Sequence, residues 1–102
     1  MRDITLEQLL AELRALRPGF ERRGVLAMAI FGSRARRGNR PNSDIDLVVA
    51  VDPAIKFSLL DAIGVGHVVE DNIGLEGNVV VLDRYADARF VRNVERDRVA
   101  VF

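Results

Sequence analysis

Residues 25–31, Val-Leu-Ala-Met-Ala-Ile-Phe, form an uninterrupted apolar run that stops at Gly32-Ser33. A run of this length with no polar face reads as a strand buried on both faces. Ten residues later Asp44-Ile45-Asp46 opens a second strand, 44–51, whose first half alternates carboxylate with aliphatic and whose second half is wholly apolar, with Pro53 closing it. Two such strands need cover, and the rest of the chain supplies it.

Leu6, Leu9, Leu10, Leu13 and Leu16 recur at helical spacing, and Thr5 with Gln8 three residues on makes a capping-box pattern. A first helix therefore starts near Thr5 and stops at Pro18-Gly19, with a turn over 20–24 leading into the first strand. Ser58 with Asp61 caps a helix carrying Leu59, Leu60, Ile63 and His67, although Gly64 and Gly66 weaken it. Residues 78–82 read as a third strand, 86–96 as a helix with Phe90, Val91 and Val94 inward, and 99–102 as a short edge strand. Helices alternating with strands predict an α/β (α+β) fold, a small sheet covered by helices. The 102 residues suit one domain, 1–102.

Fifteen basic and fifteen acidic side chains cancel, so no global field draws the chain to nucleic acid or to an anionic membrane. The absence of cysteine removes disulfide and thiolate-metal chemistry and fits a reducing compartment. With no signal-like start and no long apolar span, a cytoplasmic location is expected.

Chemistry concentrates where the two strands meet. Gly32 lacks a β-carbon, so the backbone can turn sharply and approach a ligand, leaving amides and the Ser33 hydroxyl for phosphate. Asp44 and Asp46 project from one face of their strand while Ile45 and Leu47 project into the core. Two adjacent carboxylates repel unless a cation lies between them, and a hard divalent ion such as Mg2+ takes carboxylates together with phosphate oxygens. Either half alone is as well explained by a strand-ending turn or a solvated strand mouth; the pairing is what points to nucleotide and metal.

Phe31-Gly32-Ser33-Arg34-Ala35-Arg36-Arg37-Gly38 followed by Ser43-Asp44-Ile45-Asp46-Leu47-Val48-Val49 resembles the signature of the minimal nucleotidyltransferases of the DNA polymerase β-like superfamily. The leading helix, the Ser-Leu-Leu-Asp helix start, the strand over 78–82 and the closing Val-Ala-Val-Phe fall where that family places its elements, so the resemblance covers nearly the whole chain. It implies a small mixed sheet flanked by helices, transfer of a nucleoside monophosphate from ATP or another triphosphate, and Mg2+ as cofactor. Asp44 and Asp46 would be the catalytic metal ligands, and Gly32, Ser33 and Arg36 the nucleotide-binding residues. Many such proteins resemble antitoxins paired with an HEPN-domain toxin, which some inactivate by adenylylation.

The family pattern has a third aspartate where this chain reads Asn78-Val79-Val80-Val81-Leu82. An amide oxygen coordinates weakly and cannot act as general base, so Asn78 implies slowed transfer, general-base assistance being worth about a hundred- to ten-thousand-fold. Asp83 has the opposite strand parity, and a register slip would bring Val79 or Val80 to the position instead. The alternative is a nucleotide-binding antitoxin that restrains its toxin by contact.

Arg34, Arg36, Arg37 and Arg40 make a basic edge beside the turn, suited to triphosphate oxygens, to an acidic partner surface or simply to solvent. Without aromatic stacking platforms they give little reason to expect nucleic acid. His67, the only histidine, reads as a helix-face residue. The apolar helix faces are core or, in so small a domain, part of a homodimer or toxin contact.

Overall fold

In a computed structural model of the chain, the structure describes residues 4–32, 34–35, 44–82 and 98–102. Helix α1, Leu6–Ala15, begins on Thr5, whose hydroxyl accepts from the Gln8 N–H while the Gln8 side chain accepts from the Thr5 N–H. This reciprocal cap satisfies two amides that a helix start otherwise leaves open. Leu9 and Leu13 point into the core.

The proline that was expected to end this helix instead starts another, α2, Arg17–Arg22. Proline has no N–H to lose in a first helical turn, and its fixed φ suits one. The expected turn at 20–24 is thereby shortened, and Phe20 becomes a fully buried helical residue. Its ring stacks on Phe102, centroids 6.4 Å apart. Arg14 donates to the carbonyls of Val101 and Ala100, and the Arg17 guanidinium lies 4.9 Å from the Phe102 ring centroid. The helical pair is thus pinned to the far end of the sequence.

Strands β1 (Val25–Phe31), β2 (Ile45–Val51), β3 (Gly77–Val81) and β4 (Val99–Ala100) form a sheet of order β3-β2-β1-β4. The β1/β2 and β1/β4 pairs are antiparallel and β2/β3 is parallel. The core face carries Met28, Ile30, Ile45, Leu47 and Val49, packed on helical residues such as Leu9, Leu13, Val65 and Val69. The opposite face carries a smaller cluster of Ala29, Val48, Phe31 and Leu82. Burial of β1 on both faces holds from Met28 to Ile30 but fails at Leu26, which is 57% exposed. The β1/β2 register slips between Val25 and Ala27, so Leu26 is the extra residue of a bulge.

Helix α3, Leu59–Ile73, makes the crossover between the parallel strands, beginning on the Ser58/Asp61 capping box and ending at Gly74 in a left-handed conformation. Two hydrogen bonds from Ser58, backbone first and hydroxyl second, with Arg23 assisting, hold the Asp61 carboxyl below its ordinary range against a small opposing effect of burial. The buried side of α3 is Ala62, Val65, Gly66, Val69 and Ile73, while Leu59, Leu60 and Ile63 are exposed. A β-carbon on Gly66 would lie 2.7 Å from the Gly77 carbonyl oxygen; the helix sits on β3 at a distance only glycine allows. The expected helix over 86–96 lies outside the described residues. No helix among the described residues is long and apolar enough to cross a membrane.

Candidate functional site

The β1/β2 pairing sets Phe31 opposite Asp46, and the β2/β3 pairing sets Asp46 opposite Asn78. All three therefore share the sheet face away from the main core, and Asp44, two residues before Asp46, joins them at the strand mouth. The Asn78 Nδ2 lies 3.3 Å from Asp44 Oδ2 and 3.4 Å from Asp46 Oδ1, donating to both. The alternating parity turns Val79 to the helix side of β3, and Val80 pairs with Val48, one step deeper. Asn78 is thus the β3 residue that meets the carboxylates; Asp83 lies outside the described residues.

Gly32 adopts φ +75°, the left-handed region that disfavours a side chain. A β-carbon there would stand 2.6 Å from Asp46 Oδ2. The glycine accordingly has two functions: it turns the chain off β1 and it leaves the space beside the Asp46 carboxylate clear. Asp44 is exposed and Asp46 half-buried, so both can be reached from solvent.

Of the expected residues, the structure brings together Gly32, Asp44, Asp46 and Asn78. Ser33 and Arg36, with Arg37 and Arg40, lie outside the described residues. Arg34 departs from the expected exposed basic edge: it is 2% exposed and engaged within the protein. His67 is exposed on α3, as a helix-face residue. Phe31 received no role from the sequence, because an aromatic at the end of an apolar run reads as core; its pairing with Asp46 makes it part of the site floor. Among the described residues no three His, Asp or Glu side chains converge as a metal-ligating group. Two acids and an amide meet instead, the amide as hydrogen-bond donor to both.

A mixed four-stranded sheet with a left-handed glycine turn facing an Asp-x-Asp strand mouth has the architecture of the nucleotidyltransferase fold. Residues 16–102 match the polymerase beta nucleotidyltransferase family, and the chain belongs to it. A solved minimal nucleotidyltransferase is 30% identical, with 94% of this chain and 95% of that one covered at a TM-score of 0.76. A toxin-antitoxin complex with AMP-PNP shares the fold at 17% identity, covering 89% of this chain and 72% of the other, TM-score 0.72. So does the complex of a tri-AMPylated Shewanella oneidensis HEPN toxin with its MNT antitoxin, at 15% identity, 96% and 72% coverage and TM-score 0.69. No curated protein matches the chain significantly.

Proposed function

We propose that this domain transfers a nucleoside monophosphate, AMP in the first instance, from a triphosphate to a hydroxyl of a partner protein, and that the partner is an HEPN-domain toxin. The observation that carries this is the convergence of Asp44, Asp46 and Asn78 beside the Gly32 turn. The AMP-PNP-bound and AMPylated complexes among the fold's relatives support the choice of nucleotide and partner.

The site fits a hard divalent cation such as Mg2+. Its donors are carboxylate oxygens and Gly32 keeps Asp46 Oδ2 unobstructed; the Asn78 amide, which donates to both acids here, would have to release those hydrogen bonds and turn its Oδ1 toward the ion. Asp44 and Asp46 would hold the ion, which when bound offsets triphosphate charge and lowers the pKa of the attacking hydroxyl. The Gly32 turn with Ser33 and Arg36 would seat the phosphates. In the transfer the acceptor oxygen forms a bond to the α-phosphorus, the bond from that phosphorus to the bridging oxygen breaks, and pyrophosphate leaves. The hydroxyl proton must pass to a carboxylate or to water, because Asn78 cannot accept it.

The two hydrogen bonds from Asn78 favour a second reading as well, a nucleotide-binding antitoxin with weak turnover that restrains its toxin by contact. Labelled ATP, Mg2+ and an HEPN-domain toxin, incubated with the Asn78 protein and with Asn78→Asp, distinguish the two. Transfer is expected to be about a hundredfold or more faster with aspartate. Equal rates would refute the impaired-base argument. Absence of Mg-ATP binding heat, unchanged by Asp44→Ala, would remove the nucleotide site altogether.

A further inference from the structure

Among the described residues β3 is one of the two edge strands of the sheet. The Ile45 N–H donates to the Glu76 carbonyl and the Leu82 N–H to the Val49 carbonyl. In a parallel ladder these two bonds fix the pattern between them: Asn78 and Val80 turn their peptide groups toward β2, while Gly77, Val79 and Val81 turn theirs to the outer edge. Along that edge runs a groove walled by α3, with Leu59 and Ile63 at one end and Glu70 and Glu76 at the other, and Asn78 reached across the strand. Leu59 is 78% exposed and Ile63 is also exposed, as are both glutamates.

Resting on the transfer reading above, we propose that this groove takes an extended segment of the acceptor protein as an added strand beside β3. Side chains of an added strand alternate between the two faces of the sheet. The residue opposite Asn78 falls on the face with Asp44 and Asp46. Its neighbours on either side fall on the helix face, one toward Val79 and Ile63, the other toward Gly77 and the Glu70 of α3. The chemistry of the segment follows: a hydroxyl-bearing residue flanked by an apolar residue on one side and a basic residue on the other. The reach is suitable. Strands lie about 4.8 Å apart, so a residue opposite Asn78 starts roughly 10 Å from Asp46, within the span of a tyrosine leaning along the face.

Short fluorescent peptides with a central tyrosine, valine on one flank and lysine on the other, made in both orders, test the proposal when titrated into the full chain. Matched peptides carry glutamate in place of lysine. One order of the lysine peptide is expected to bind roughly tenfold or more tightly than its glutamate match. Ile63→Glu should weaken it by a similar factor, and the double change Glu70→Lys with Glu76→Lys should reverse the charge preference. Should Ile63→Glu fail to fold, Leu59→Glu at its more exposed position carries the same test. No binding up to about 1 mM, equal binding of lysine and glutamate peptides, or binding indifferent to both variants overturns the groove. Mg-ATP calorimetry on the same proteins separates the two readings: heat without peptide selectivity sinks only the groove, and selectivity without heat sinks only the transfer reading.

Discussion

Helices α1 and α3 both start on a reciprocal capping box, yet α1 buries Leu9 and Leu13 completely whereas α3 leaves Leu59 and Leu60 78% exposed. The difference lies in what each helix rests on. Helix α1 packs against α2 and α3 within the main apolar cluster, and large side chains fill the space. Helix α3 is drawn onto β3 through Gly66 and Gly77, where a β-carbon on Gly77 would already sit 3.2 Å from Val69. Its closest contact is made at glycine and its core face is filled by Val65, Val69 and Ile73, while Leu59 and Leu60 stay outside the core and are available to a partner.

The largest effect that contrast predicts is at Leu13. Leu13→Ala should destabilise the fold by about 2–5 kcal/mol in denaturant unfolding, the range for a fully buried leucine that leaves a cavity. A loss under about 1 kcal/mol would mean that α1 can collapse onto the sheet and that its packing is less specific than its burial implies.

Gly66→Ala comes next. Alanine is the better helix former by about 1 kcal/mol, but its β-carbon must displace a backbone carbonyl, and overpacking of that kind costs about 1–3 kcal/mol. A net destabilisation of up to about 2 kcal/mol is expected. Because Gly77 precedes Asn78, the shift should also perturb Asn78 resonances and those of Asp46. A stabilised Gly66→Ala protein would refute the close-contact account of α3.

How far these features are legible in the sequence follows the same division. Contacts set by local rules are: the Thr5/Gln8 and Ser58/Asp61 caps, the β1 and β2 runs, and the parity that puts Asp44 and Asp46 on one face. Contacts set by distant partners are not. Gly64 and Gly66 read in the sequence only as weak points of α3, and only the approach of Gly77 reveals what Gly66 is for. Pro18 reads as a stop for want of any local sign that Phe20 has Phe102 to stack on. Arg34 reads as exposed because an arginine in a polar turn carries no local sign of burial, yet it is buried. The strand order, and with it the meeting of Asn78 with the two carboxylates, depends on a parallel crossover that no short motif encodes.

A smaller effect separates the two caps by pH. The α1 box uses Gln8, which does not titrate, whereas the α3 box uses Asp61, whose carboxyl is held below its ordinary range first by the Ser58 backbone N–H and then by the Ser58 hydroxyl. A folded pKa below the unfolded one gives stabilisation that is complete above the unfolded value and is lost as the pH falls through the folded one. The stability gap between the native chain and Asp61→Asn should therefore be present at neutral pH and shrink in acid. The gap for Gln8→Ala should stay flat across the same range. Parallel curves for the two variants would show that Asp61 contributes to its cap by shape alone.

The smallest effect is expected at Leu60, and it is the one that decides whether the exposed face of α3 is solvent-facing in the free protein. A solvated leucine replaced by glutamine should change stability by no more than about 0.5 kcal/mol, because the side chain gives up little buried area. If instead a homodimer covers this face, Leu60→Gln would remove apolar area from an interface, and the unfolding midpoint would both fall and depend on protein concentration. Thermal unfolding of the native chain and of Leu60→Gln at two concentrations well apart distinguishes the cases. Matching midpoints at both concentrations would leave the face free for an acceptor; a concentration-dependent drop would place a second copy of the chain on it.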